Sequence, residues 1–163
     1  MRNHARFIVL LAALMPVLFS VGCNTVRAPK FESVGVREIE RTDARTVYGF
    51  LVKATNPNRD PIPLREVTYT ITLDDSYTFS GVRSPESTLH TFGEHTFELP
   101  AVFEVPASSL VGLMDFKITG HTKFLRPGKL NEVLFDSNVS VPKAPLNLRG
   151  KVNADDASSG TGF

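Results

Sequence analysis

The chain holds one cysteine in 163 residues and no tryptophan. A single thiol excludes any intramolecular disulfide and leaves no second cysteine for a zinc site. Beyond the first residues the histidines are His90, His95 and His121, and no two share a helical ligand spacing. Asp74-Asp75 lacks the further oxygen ligands at fixed offsets that a calcium loop needs. Ser80-Gly81 and Ser108-Ser109 lack the Gly-x-Ser-x-Gly frame of a nucleophile elbow, and there is no phosphate-binding loop. No constellation for catalysis, metal or cofactor can be assembled, so the expectation is a non-enzyme with no cofactor. Charge is nearly balanced, with 18 basic and 17 acidic residues. That balance gives no electrostatic reason to bind nucleic acid or an anionic membrane face. A helical period of 3.6 is also largely missing, as is any repeat or low-complexity block within the central region.

The N-terminus has a pattern of its own. Arg2 and Arg6 precede an unbroken apolar run, Phe7 to Phe19, followed by Ser20-Val21-Gly22-Cys23. A basic start, a short apolar stretch and small residues at a cleavage point describe a secretory signal. The run is shorter than the roughly 20 residues of a bilayer-spanning helix; an uncleaved N-terminal anchor is the alternative. "VGC" resembles a bacterial lipobox, in which Cys23 receives the lipid and becomes the first residue of the mature chain. Ser20 departs from that pattern, where Leu is favoured, and the competing reading is a soluble secreted protein. Buried acyl methylenes, about 0.8 kcal/mol each, would hold the lipid form to a membrane. Asn24, rather than Asp, after the cysteine points to the outer membrane. Cleavage removes Arg2 and Arg6 and leaves a net charge of −1.

These features divide the chain into a signal (1–22), a tether (23–30), a domain (31–148) and a polar tail (149–163) expected to be disordered. Inside the domain the period is two. Val67, Tyr69, Ile71 and Leu73 share one face and Thr68, Thr70 and Thr72 the other, as in a half-buried antiparallel strand. Phe97, Leu99, Ala101, Phe103 and Val105 form a second set, interrupted by Pro100, which requires a bulge or an unpaired edge. Phe116, Ile118 and Phe124 form a third, and Tyr48, Phe50, Val52 and Ala54 a fourth. Val133, Phe135, Val139 and Val141 read as a last strand, joined to its predecessor by a hairpin at Pro127-Gly128. Phe31 to Ile39 is a weaker strand, and two short ones flank Ser84-Pro85. "PASSLVGLM" is the one candidate helix. Seven or eight strands with wet outer faces predict a two-sheet sandwich, with a small closed barrel as the alternative.

Between two strands lies "ATNPNRDPIPL". Pro57 drives Asn56 toward extended geometry, Asn58 tolerates a turn, and Pro61 and Pro63 stiffen the path to Leu64. Nothing in this stretch can do acid–base or nucleophilic work, so it reads as a rigid corner. An apolar strand ending in "NPN", then "PIPLREVTYTITLDD", "FSGV", "HTFELPAVFEVPASSL" and "FKITGHTKF", resembles the late embryogenesis abundant type 2 family and its WHy (water stress and hypersensitive response) domain. The likeness spans about 34–141, with Phe116 where Tyr is common. The resemblance implies a fibronectin type III- or immunoglobulin-like antiparallel β-sandwich. It implies a non-catalytic protein linked to desiccation and other stress, with Asn56, Pro57 and Asn58 as a structural signature. Together with Cys23 it predicts a lipid-anchored envelope protein, periplasmic side, that protects membranes or proteins. The alternative is a binding module that pairs a sheet edge with a partner or holds a lipid between its sheets.

Overall fold

The computed structural model describes residues 26–106 and 109–154. The signal, Cys23 and residues 155–163 of the expected tail lie outside them. Among the described residues eight strands and one helix follow in order: β1 (Lys30–Arg41), β2 (Thr46–Thr55), β3 (Ile62–Leu73), β4 (Tyr77–Arg83), β5 (Thr88–Leu89), β6 (Glu94–Phe103), β7 (Leu113–Phe124), α1 (Lys129–Asp136) and β8 (Lys143–Asn153). One sheet has the order β1-β2-β6 and the other β4-β3-β7-β8, with β5 added to the start of β3. Every pairing is antiparallel. This is an all-β sandwich with fibronectin type III-like strand order, not a closed barrel.

The alternation in the sequence is the alternation of the core. Tyr48, Phe50, Val52 and Ala54 of β2 are fully buried, facing Val67, Tyr69, Ile71 and Leu73 of β3 and Met114, Phe116 and Ile118 of β7. Burying each large apolar side chain contributes about 1.5–3 kcal/mol. Phe116 lies edge-on to Phe50 across the sheets, with ring centroids 5.1 Å apart. Pro100 sits on the edge strand β6 opposite Gly49, in an unbroken register, so its missing N–H falls on the unpaired side. Its carbonyl accepts a 2.6 Å hydrogen bond from the Tyr69 hydroxyl of the opposite sheet. The other edge, β1, slips register at Val34 and at Ile39, two bulges of the kind that discourage edge pairing.

Four expectations need correction. The segment read as the last strand forms α1 instead. Leu130, Val133 and Leu134 have helical spacing, and the helix stops in a Schellman turn. There Asn138 (φ 55°) donates to the Phe135 carbonyl and Val139 to that of Leu134, with Pro142 shortly after. The hairpin at Pro127-Gly128 is therefore a strand-to-helix connection. The true last strand, β8, buries Ala144, Leu146, Leu148 and Val152. It takes in 149–153, which the sequence reading assigned to a disordered tail. Residues 26–30, read as tether, are docked: Val26 packs against the core and Pro29 is buried. In the candidate helix, 107–108 lie outside the described residues; Leu110 is buried and Leu113 opens β7.

Candidate functional site

At one end of the sandwich β1, β3, β6 and β8 begin and β2 and β7 end. The Asn-Pro-Asn corner sits there. Asn56 is 1% exposed. Its Nδ2 donates to the backbone carbonyls of Asp60 (2.8 Å), His90 (2.9 Å) and Leu89 (3.3 Å). Its Oδ1 accepts from the Asn58 backbone N–H and from Asn58 Nδ2, both at 2.9 Å. The first is the local turn that Asn makes with the backbone two residues on. The orientation of the amide follows from these partners, since a flip would set oxygen against three carbonyls. Its own backbone N–H donates to the Gly93 carbonyl at 2.9 Å. The side chain has no donor or acceptor left for a ligand.

Asn58 continues the chain of bonds outward. Its Oδ1 accepts from the Arg27 backbone N–H, and its Nδ2 donates to the Arg27 carbonyl, both at 2.8 Å. One amide thus holds residue 27 as a neighbouring strand would. Asn58 also accepts, through its own carbonyl, the backbone N–H of Phe92. The corner therefore joins the segment entering the fold, the β2–β3 loop and the β5–β6 turn. Pro57 makes this possible by keeping Asn56 extended, so that its amide points across the loop rather than along a helix. Cys23, the expected lipid attachment residue, lies outside the described residues; only Asn24 and Thr25 separate it from Val26.

The other expected polar positions do not converge. His90 lies in the β5–β6 turn, His95 in β6 and His121 on the outer face of β7. Asp74 and Asp75 form the β3–β4 turn, both with positive φ, and Asp74 Oδ1 accepts the Asp115 N–H at 2.8 Å. Among the described residues no group of three His, Cys, Asp or Glu side chains could hold a metal. A depression of about 570 Å³ on the outer face of the larger sheet is lined by Thr72, Asp75, Asp115, Lys117, Arg149 and Lys151. Its lining pairs Lys151 with Asp115 at 3.5 Å and contains neither histidine nor cysteine. A second depression, about 410 Å³, follows the seam where β4 meets the end of β6, with Tyr77, Phe79, Phe103 and Val105 in its walls.

Shifted ionisations have structural causes. The Lys53 ammonium is held above its usual range by a hydrogen bond to Glu32, with Glu94 adding attraction. The Glu66 carboxyl is held below its range by a hydrogen bond from Lys123 at 2.7 Å. Burial pushes the Tyr69 phenol up, opposed by the charge of Arg83. The feature that sequence reasoning missed is α1, which has no buried residue. The signals for it were Gly128 before the segment, and Asn138 and Pro142 after it.

No family model matches the chain, and no curated protein matches it in sequence. Solved structures do resemble it. The solution structure of a protein provisionally named late embryogenesis abundant (LEA) protein At2g46140.1 superposes with a TM-score of 0.56 at 16% identity, covering 93% of this chain and 85% of that one. The solution structure of AT1g01470 from Arabidopsis thaliana gives 0.56 at 17% identity, covering 83% and 88%. The X-ray structure of a structural-genomics target, SoR45, gives 0.53 at 10% identity, covering 79% and 88%. At these identities the likeness establishes a shared fold.

Proposed function

We propose that this chain is a non-catalytic, lipid-anchored protein of the cell envelope whose LEA type 2 or WHy-type sandwich protects membranes or proteins during desiccation or other stress. The observation that carries the reading is the fold shared with the LEA-named structure over 93% of the chain. The Asn-Pro-Asn corner supports a structural role for its three residues, because every polar atom of the Asn56 side chain is bonded within the protein. The signal and Cys23 supply the envelope and the anchor, with the periplasmic side of the outer membrane favoured.

The test compares wild type with Cys23→Ala, expressed as full chains in a bacterial host. Intact mass and membrane fractionation are read first, then recovery of the cells after drying. Wild type is expected to carry the lipid mass, to sediment with membranes and to improve recovery; Cys23→Ala loses all three. A soluble, unmodified wild type overturns the anchor. A modified wild type without effect on recovery overturns the protective role.

One observation favours a second reading, a binding module. The outer edge of β4 ends its sheet beside the groove walled by Tyr77, Phe79, Phe103 and Val105, where an extended apolar segment could add as a further strand. Phe79→Lys would abolish such binding and leave membrane anchoring unchanged.

A further inference from the structure

Helix α1 is amphipathic yet fully buries none of its residues. Leu130 and Val133, one turn apart, are 72% and 60% exposed, and Val139 just beyond the helix is 73% exposed. An isolated eight-residue helix is marginal in water, and in this one Leu134 and Phe135 are only partly covered while Leu130 and Val133 stay in solvent. The β5–β6 turn has a similar anomaly. Phe92 is 61% exposed and sits in the left-handed region (φ 51°), which costs a non-glycine residue about 1 kcal/mol. Its backbone N–H bonds to the Asn58 carbonyl, so it projects from the corner that clamps Arg27.

These side chains share one end of the molecule. α1 lies in the β7–β8 connection, and β7 ends and β8 begins at the end where β2 runs into the Asn56 corner. The chain enters the fold at the same place. From Cys23 to Val26 there are three residue steps, a reach of about 11 Å at most for a fully extended chain. With lipid on Cys23, this end of the sandwich cannot move far from the bilayer surface.

We infer that this end seats on the phospholipid bilayer, with Leu130, Val133, Val139 and Phe92 entering the boundary between headgroups and acyl chains. Short amphipathic elements bind there through buried apolar area, and a lipid anchor supplies the second attachment that makes such weak contact persistent. The proposal rests on reading Cys23 as the attachment point. It makes the tether a docking device: the Asn58 clamp on Arg27 holds the sandwich by one chosen end.

The absence of tryptophan supplies the test. Val133→Trp, Phe92→Trp and, at the opposite end, Leu113→Trp (64% exposed) each place a unique fluorophore in the full chain. Purified from membranes, each is reconstituted into phosphatidylethanolamine–phosphatidylglycerol vesicles with and without brominated acyl chains. The expected result is a blue shift and several-fold quenching at 133 and 92, with little change at 113. Should Val133→Trp fail to accumulate, Phe92→Trp carries the same comparison from a separate element. Vesicle-bound, lipidated protein with all three probes alike overturns the proposal and leaves the anchor standing. A blue shift without quenching, accompanied by dimer mass in sedimentation, also overturns it, since a second copy then covers the surface. Intact mass without lipid removes the anchor and this proposal with it.

Discussion

The two ends of the sandwich are closed by different chemistry. At the end where the chain enters, a buried side-chain amide does the work, and its partners are far apart in sequence: Asn56 reaches Leu89 and His90, and Asn58 reaches Arg27. At the opposite end no side chain among the described residues plays the part of Asn56: the turns close locally, and longer-range bonds such as Arg41 Nη2 to the Ala154 carbonyl at 3.1 Å join the strand ends. Thr42 closes the β1–β2 turn through Arg45, and Asp74-Asp75 turn β3 into β4 with positive φ angles. A buried polar group with all its bonds made fixes one arrangement, whereas an exposed turn can exchange its bonds with water. The entering end is therefore the end whose geometry the sequence has specified most tightly. That suits the end from which a membrane anchor would extend.

The sharpest way to break this contrast is Asn56→Ala. It orphans the carbonyls of Asp60, Leu89 and His90 and frees the Asn58 amide, with an expected loss of about 3–5 kcal/mol. Urea denaturation of the purified chain measures it. Asn56→Asp is expected to be as damaging, because a carboxylate cannot donate to three carbonyls. Asn58→Ala removes the outer half only and should cost about 1–2 kcal/mol. Its distinguishing sign is local: the Arg27 amide, now without its acceptor, exchanges with solvent hydrogen much faster, while amides in β3 and β7 keep most of their protection. If Arg27 stays protected in that variant, the clamp is not what holds the entering segment.

How much of this was legible follows from the range of each interaction. The inward faces of β2, β3, β6 and β7 were readable because a period of two is local, and Tyr48 to Ala54 alternate in the sequence as in the core. Pro100 announced an edge for the same reason. Asn56 announced a corner, since Pro57 restricts it directly, but its bonds to residues 89 and 90 have no sequence signature. The α1 segment misled because Val133, Phe135, Val139 and Val141 satisfy period two. An eight-residue helix is too short for period 3.6 to win on pattern, and its caps decided instead. β8 was cut at Leu148 because Arg149, Gly150 and Lys151 look like tail; their register against Lys117, Phe116 and Asp115 supplies the strand. Arg27 was read as tether because its partner is a side chain 31 residues away.

Between the ends, Tyr69 latches the two sheets through the Pro100 carbonyl. Tyr69→Phe should cost about 1 kcal/mol near neutral pH. Its pH signature separates it from the corner. Burial raises the phenol's folded pKa above the unfolded value near 10, with Arg83 opposing. Stability from this group is complete below pH 10 and declines as pH rises through the folded value. Wild type should lose stability more steeply than Tyr69→Phe in alkaline titration; parallel curves would show that the latch does not depend on the proton.

The smallest effect is expected at the far turn. Asp74 has φ 45°, and its carboxylate accepts one exposed N–H, from Asp115. Asn keeps both the tolerance for that backbone region and an acceptor oxygen, so Asp74→Asn should stay within about 0.5 kcal/mol of wild type. Gly keeps the backbone and loses the bond; Ala loses both. The series should therefore run Asn, Gly, Ala in increasing cost, reaching about 1 kcal/mol at Ala. The order matters more than the size, because it tests whether this turn is held by its backbone geometry plus one side-chain bond. If Asp74→Ala proved as costly as Asn56→Ala, the two ends would be equally specified. The preference for the entering end would then rest on the Arg27 clamp alone.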